Sequence, residues 1–123
     1  MESEKLNGNF LKLSRRLLYH DLWNEHRIFS RAEAWIDILF TVRYKYEPEP
    51  ATIKDKTLLC YRGQSLKSIE TWAKRWHWSK SKTVRFFKTL VDNDMIIITN
   101  EKVTTRLTVC NYEDYNKSQN DET

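Results

Sequence analysis

The sequence predicts a small α+β domain, mainly helical, in which two short helices joined by a tight turn are followed by a two-stranded antiparallel β-hairpin. Three observations predict it. The stretch WAKRWHWSKSKTVRFFKTL, Trp72–Leu90, carries two apolar stripes at helical spacing, broken by a short HW segment. Ser68 and Ser79 stand immediately before the two stripes, where N-caps belong. Behind them, MIIIT and TRLTVC are β-branched runs separated by the polar NEKVT, the pattern of a hairpin. Helix, turn, helix and hairpin in that order make a winged helix-turn-helix, the hairpin being the wing.

The remaining elements follow along the chain. With 123 residues there is material for one domain with a modest core. A hydrophobic content of 40% excludes wholesale disorder, and two Gly and two Pro leave little for repeats or low-complexity linkers. Residues 1–9 read as a flexible leader, 10–115 as the domain, and 116–123, NKSQNDET, as a polar tail and the start of a linker. FLKLSRRLLYHDLW begins as a short extended piece, Phe10 to Leu13. Ser14 then caps a helix that carries Leu17, Leu18 and Leu22.

FSRAEAWIDILFTVRYKY is the clearest helix. Ser30 and Glu33 form a capping-box pair, and Trp35, Ile38, Leu39, Val42 and Tyr46 make one apolar stripe that Ile36 and Phe40 widen. EPEP ends it, because proline disfavours helix in the residue before it. TLLCYRGQ predicts a strand from Thr57 to Tyr61. The first helix of the pair spans Ile69–Trp76, with Ile69, Trp72, Ala73 and Trp76 on one face. Glu70 in its first turn and Lys74 and Arg75 in its last suit the helix dipole. The second runs from Ser79 to about Asn93.

Charge is unevenly spread. The net charge is +4, yet Arg62–Lys88 holds eight bases against one acid, Glu70. No acid occurs from Lys74 through Leu90, whereas a plain solvated helix surface mixes the signs. A concentrated basic block points to a polyanion partner. Projected at about 100° per residue, the second helix puts Thr83, Phe86, Phe87, Leu90 and Val91 on one side. Ser81, Lys82, Arg85, Lys88 and Thr89 fall on the other. The rings hold the helix to the body while the bases face outward. Such a helix fits the major groove of duplex DNA, where Arg85 can fork onto guanine and Ser81 and Thr89 can approach bases or phosphates. Lys80, Lys82 and Lys88, with Lys74 and Arg75 at the end of the preceding helix, can neutralise phosphates. Lys102 and Arg106 on the wing can reach the backbone of an adjacent groove. The tryptophans raise base stacking on single strands as another use. Trp72 and Trp76 have core periodicity, while Trp78 is left open.

RGQSLKSIETWAKRWHWSKSKTVRFFKTLVDNDMI resembles the RGQ…S…LA…RWGWS…KV…FL…LE.DGMI pattern of winged-helix domains in phage replisome organisers and DnaD-like replication-initiation proteins. FLKLSRRLL, SRAEAWIDILF and the closing VCNYEDY are similar to that family's other segments, so the resemblance covers about residues 10–115. It implies a double-stranded-DNA-binding domain acting at an origin. It also implies a replicative helicase or helicase loader as partner, reached through a further C-terminal domain. Two departures stand out. WHW replaces the family's WGW, which places His77 where glycine would take positive φ freely. Asn93-Asp94 replaces the DG that closes the second helix; both residues tolerate left-handed geometry.

Alternatives of other kinds are a transcriptional regulator on the same fold and an oligomerisation or protein-interaction module that uses its apolar strands in a homo-oligomer. An enzyme is not expected. His20, His26 and His77 sit in no triad or metal pattern, no glycine-rich phosphate loop occurs, and Asp21, Glu25, Asp37, Asp92 and Asp94 form no nuclease pattern. Neither a cofactor nor a metal is expected. Cys60 and Cys110 have no zinc-ligand spacing and read as small apolar fillers in a reducing cytoplasm. No apolar run approaches the ~20 residues of a membrane span, and MESEKLNGNF is no signal peptide. A cytoplasmic protein without membrane contact is therefore expected.

Overall fold

The computed structural model of the chain describes residues 12–116. The expected leader, the start of the Phe10–Leu13 piece and all of the tail beyond residue 116 lie outside the described residues. The described part is an α+β fold of five α-helices and two antiparallel sheets.

Ser14 caps as expected, its Oγ accepting from the Arg16 amide at 3.1 Å. It starts a 3-10 turn, Arg15–Tyr19, and not a long helix. His20 breaks the run. It is extended (φ −85°, ψ 149°), and its Nδ1 accepts from the Leu22 amide at 3.0 Å. It thereby caps a separate short helix, α1, Asp21–Asn24. Leu22, expected in the apolar face, is exposed, and Trp23 turns inward in its place.

The capping box of α2, Arg31–Thr41, is complete: the Glu33 amide donates to Ser30 Oγ at 3.1 Å and the Ser30 amide to Glu33 Oε1 at 2.7 Å. The helix stops at Thr41, short of the expected Tyr46. Val42 is extended, and Arg43 exchanges backbone hydrogen bonds with Gly63 (2.6 Å) and Gln64 (3.0 Å). Pairing to a distant segment replaces the last helical turn, which leaves Tyr46 exposed.

Two strands were not expected. β1, Glu49–Ile53, pairs antiparallel with β2, Lys56–Cys60, through a turn in which Lys54 takes φ 57°. Pro50 sits within β1, which is tolerable because β1 belongs to a two-stranded sheet and has a free edge. β3, Gln64–Ser65, is a two-residue strand on β5. Gly63 before it has φ 80°, and a Cβ there would meet Tyr112 at 3.1 Å, so glycine is needed at this position.

Helix α3, Ile69–Trp76, and helix α4, Lys80–Asp92, are capped by Ser68 and Ser79, whose hydroxyls accept from Thr71 and Lys82 amides at 3.1 Å. His77 takes the left-handed conformation (φ 60°, ψ 41°) that glycine would favour. Its amide reaches the Lys74 carbonyl at 3.2 Å, and the Trp78 amide reaches Ala73 at 2.9 Å. This is the double closure of a Schellman-type helix end. Asp94 (φ 58°) closes α4 in the same way. β4, Ile96–Asn100, and β5, Thr105–Val109, form the expected hairpin, giving the sheet order β3-β5-β4. A last helix, α5, spans Tyr112–Asn116.

The core is dominated by rings. Trp72, Trp76, Trp78, Phe86 and Phe87 are buried with Ile38 and Val42 of the α2 segment and Ile96, Leu107 and Val109 of the sheet. Trp76 meets Phe86 and Phe87 edge-on at 5.9 and 6.0 Å, and Trp78 meets Phe86 at 5.3 Å. Trp78 is no open ring for base stacking, because it is buried and donates from Nε1 to the Phe29 carbonyl at 2.8 Å.

At the junction of α1, α2 and α3 lies Asp37, which has no exposure. Its oxygens accept from Trp23 Nε1 (3.0 Å), Trp76 Nε1 (2.9 Å), and Arg75 Nε (2.5 Å) and Arg75 Nη2 (2.9 Å). Replacing Asp37 by Asn turns one acceptor into a donor facing these N–H groups and leaves Arg75 unneutralised. We expect Asp37→Asn to lower stability by about 3–5 kcal/mol, read as a shift of the urea midpoint at unchanged slope; a loss below about 1 kcal/mol would mean the cluster is not formed. At the turn, relief of left-handed strain should make His77→Gly more stable by about 0.5–1 kcal/mol in the same titration, and His77→Val less stable than wild type.

Candidate nucleic-acid interface

Helix α4 presents its two faces as the projection requires. Thr83, Phe86, Phe87 and Leu90 are buried, and Thr83 Oγ1 ties back to the Ser79 carbonyl at 3.0 Å. Val91, expected inward, is 38% exposed, since it follows the last packed turn. Ser81, Val84, Arg85 and Lys88 are exposed, and Lys82 and Thr89 are partly so. The outward surface therefore runs from Ser81 through Arg85 to Lys88.

The ten predicted residues divide by their partners. Arg85 and Lys74 are exposed and form no ion pair with a described residue. Lys82, partly exposed, lies with its ammonium 4.4 Å from the centre of the Trp78 ring, an attraction that holds the charged end near the start of α4. Lys80 pairs with Glu70 at 2.8 Å, and its ammonium holds the Glu70 carboxyl below the usual carboxylate range. Lys88 stands 3.4 Å from Asp92, one turn on. Both pairs are well exposed, so they are weak and screened by salt. Thr89 spends its hydroxyl on the Arg85 carbonyl at 3.1 Å, so only Ser81 among the predicted hydroxyls is unengaged by a described residue.

Two predicted cations face inward. Arg75 is committed to Asp37, whose hydrogen bonds raise the guanidinium further above its ordinary value. It is a brace between α3 and α2. Arg106, only 14% exposed, pairs with Glu101 at 2.6 Å and donates to the Leu59 carbonyl (2.6 Å) and Gln64 Oε1 (2.7 Å). It joins the β4–β5 hairpin to β2 and β3 and is not aimed outward. Of the two hairpin cations, Lys102 alone is outward: it sits at the tip of the β4–β5 hairpin with φ 75°, its amide held by Asn100 Oδ1 at 2.8 Å and its side chain exposed.

Residues that sequence reasoning did not place here lie beside α3. His26 meets His77 with ring centres 4.3 Å apart, and a hollow of about 460 Å³ there is also lined by Lys67, Thr71 and Lys74. Only the tertiary fold brings His26 and Lys67 to this edge; nothing in their local sequence signals it. Among the described residues, no group of three or more His, Cys, Asp and Glu is arranged to hold a metal ion, and no helix is long and apolar enough to cross a membrane.

Comparison with protein-family models, curated proteins and solved structures gave no match to this chain.

The division into free and committed cations has a direct consequence. Arg85→Ala, Lys88→Ala and Lys102→Ala should each change unfolding free energy by no more than about 0.5 kcal/mol. Arg106→Ala should cost about 1–3 kcal/mol, because it removes three hydrogen bonds at once, two of them to partly buried acceptors. Denaturant titration of the four variants distinguishes the two groups.

Proposed function

We propose that the chain is a winged helix-turn-helix domain that binds double-stranded DNA, with α4 in the major groove and the β4–β5 hairpin as its wing. The observation that carries this reading is the outward face of α4. Arg85 stands at its centre, free of described acidic partners, with Lys82 and Lys88 on either side and Lys74 nearby on α3. Acids occur only at the two margins, Glu70 and Asp92, each in an exposed pair that a phosphate can displace. The buried stack of Trp76, Trp78, Phe86 and Phe87 underneath keeps the face rigid. Rigid backing matters because base readout needs a side chain delivered to a fixed place in the groove.

By its resemblance to phage replisome organisers and DnaD-like initiators, the domain serves replication initiation. The DNA-bound chain would bring a replicative helicase or its loader to an origin. A protein-assembly role has one supporting observation, the exposure of Leu59 on β2 and Ile97 on β4.

Fluorescence anisotropy with a labelled random-sequence duplex tests the reading. Wild-type protein should bind at low salt and lose affinity steeply as salt rises, with a slope near −0.9 per phosphate contacted. Arg85→Ala combined with Lys82→Ala should weaken binding by about tenfold or more while circular dichroism stays native. Equal binding by the folded double variant would remove α4 as the reading element. Absence of duplex binding at low salt would favour assembly, checked by sedimentation.

A further inference from the structure

We propose that a second, separate cleft takes a single nucleic-acid strand. It lies between the Arg15–Tyr19 turn, the end of α2 and the approach to α3, and encloses about 780 Å³. That volume falls within the range of about 300–1,000 Å³ that accepts small organic groups. It suits one or two unstacked nucleotides and not a duplex, which has to be read from outside.

Its charge is strongly one-sided. Five cations line it against one acid, Glu49. Arg43 is paired with Glu49 at 2.9 Å and Arg75 with Asp37, so the acid is already answered. Arg15, Lys45 and Lys67 form no ion pair with a described residue. Arg15 is held in position: its Nη2 donates to Tyr112 Oη (2.8 Å) and Asn116 Oδ1 (2.6 Å), and its guanidinium lies 4.7 Å from the centre of the Tyr44 ring. Its Nε and the Thr41 hydroxyl oxygen are buried with no hydrogen-bond partner among the described residues. Both residues line the cleft with other atoms, and the two unpartnered atoms lie behind its wall.

Aromatic rings decide the class of anion. Tyr19, 81% exposed, and Tyr44, 48% exposed, also line the cleft. Cations that follow a backbone, interleaved with open rings on which bases stack, are the chemistry of single-strand binding. An acidic peptide would satisfy the cations and leave the rings unused. The cleft also shares Asn24, Lys67 and Arg75 with the hollow beside α3, so a strand leaving it passes Lys74 and His77 at the foot of α4. This site goes beyond duplex reading and does not rest on it.

The test is anisotropy of the full chain with a labelled oligothymidylate of about 12 nucleotides over a range of salt. Three phosphate contacts, from Arg15, Lys45 and Lys67, give an expected log–log slope of about −2. Lys45→Ala with Lys67→Ala should weaken oligothymidylate binding about tenfold and bring the slope to about −0.7, and Lys45→Ala alone, in the cleft but not in the hollow beside α3, should leave duplex affinity unchanged. Tyr19→Ala should weaken it by at least about fivefold, and Arg85→Ala should leave it unchanged. The proposal is overturned if the Lys45/Lys67 double variant binds oligothymidylate as wild type does. It is equally overturned if Tyr19→Ala has no effect while a polyglutamate peptide displaces the oligonucleotide, which would make the cleft a receptor for acidic peptide. Because Arg85→Ala acts on the duplex probe and Lys45→Ala on oligothymidylate, loss of the duplex reading and loss of this one are told apart.

Discussion

Asp37 gathers four N–H donors from two helices onto one unexposed carboxylate, and the orientation of α3 follows from it. Removing a charge from water is costly, and a buried pair repays this only when every lone pair is served at good geometry. Trp23, Arg75 and Trp76 serve them. The same constraint that aims Arg75 and Trp76 at α2 turns Lys74 outward and sets the Trp72 and Trp76 rings against Phe87 of α4. A buried ion cluster of this kind adds little net stability compared with an apolar substitute. Its effect is to make other rotations of α3 expensive, because each would strand a charge.

That constraint also sorts the basic block. Counted along the chain, the cations of Arg62–Lys88 look equivalent. In the fold, Arg62 pairs with Glu113 at 2.6 Å and Arg75 with Asp37, both joining segments far apart in sequence. Arginine suits these posts, since its planar fork can serve a carboxylate and a carbonyl together. The cations left outward in this stretch are mostly lysines, with Arg85 the exception. An arginine kept out of the structural network, at the centre of an exposed helical face, is available for forked contacts in a way that its structural counterparts are not.

Much of the fold was legible because its signals are local. The caps at Ser30, Ser68 and Ser79 and the apolar spacing of α3 and α4 depend on residues within one or two turns of each other, as do the β-branched runs of the hairpin. What was missed depends on partners far away. Thr41 ends α2 because Arg43 pairs with Gly63 and Gln64. EPEP reads as the helix stop, but α2 has already ended at Thr41, and Pro50 instead occupies a strand whose partner lies beyond the next turn. Among the candidate contacts, Arg75 and Arg106 were misplaced for the same reason: their acceptors are Asp37, Leu59 and Gln64, which no periodicity connects to them. Trp78 carried an ambiguous signal, being one aromatic residue in a turn, and its packing on Trp76 and Phe86 together with its bond to the distant Phe29 carbonyl makes it a core residue.

The α3–α4 turn shows how local and distant interactions combine. His77 accepts a left-handed conformation that costs an L-residue about 1–2 kcal/mol, so something must favour the turn as built. Two interactions do. The Schellman-type bonds to Ala73 and Lys74 satisfy carbonyls that α3 would otherwise leave open. Trp78, the next residue, can then drop its ring between Trp76 and Phe86 and reach the Phe29 carbonyl. A looser turn would lift Trp78 out of that slot and lose its burial, a penalty of roughly 3–5 kcal/mol by analogy with truncating a core tryptophan. Burial of Trp78 outweighs the backbone strain, so His77 is held in its left-handed conformation by its neighbour. The ring of Trp78 in turn lies under Lys82, in the first turn of α4. The direction in which α4 leaves the turn, and with it the direction of Arg85, is therefore fixed by packing at Trp78 rather than by freedom at position 77.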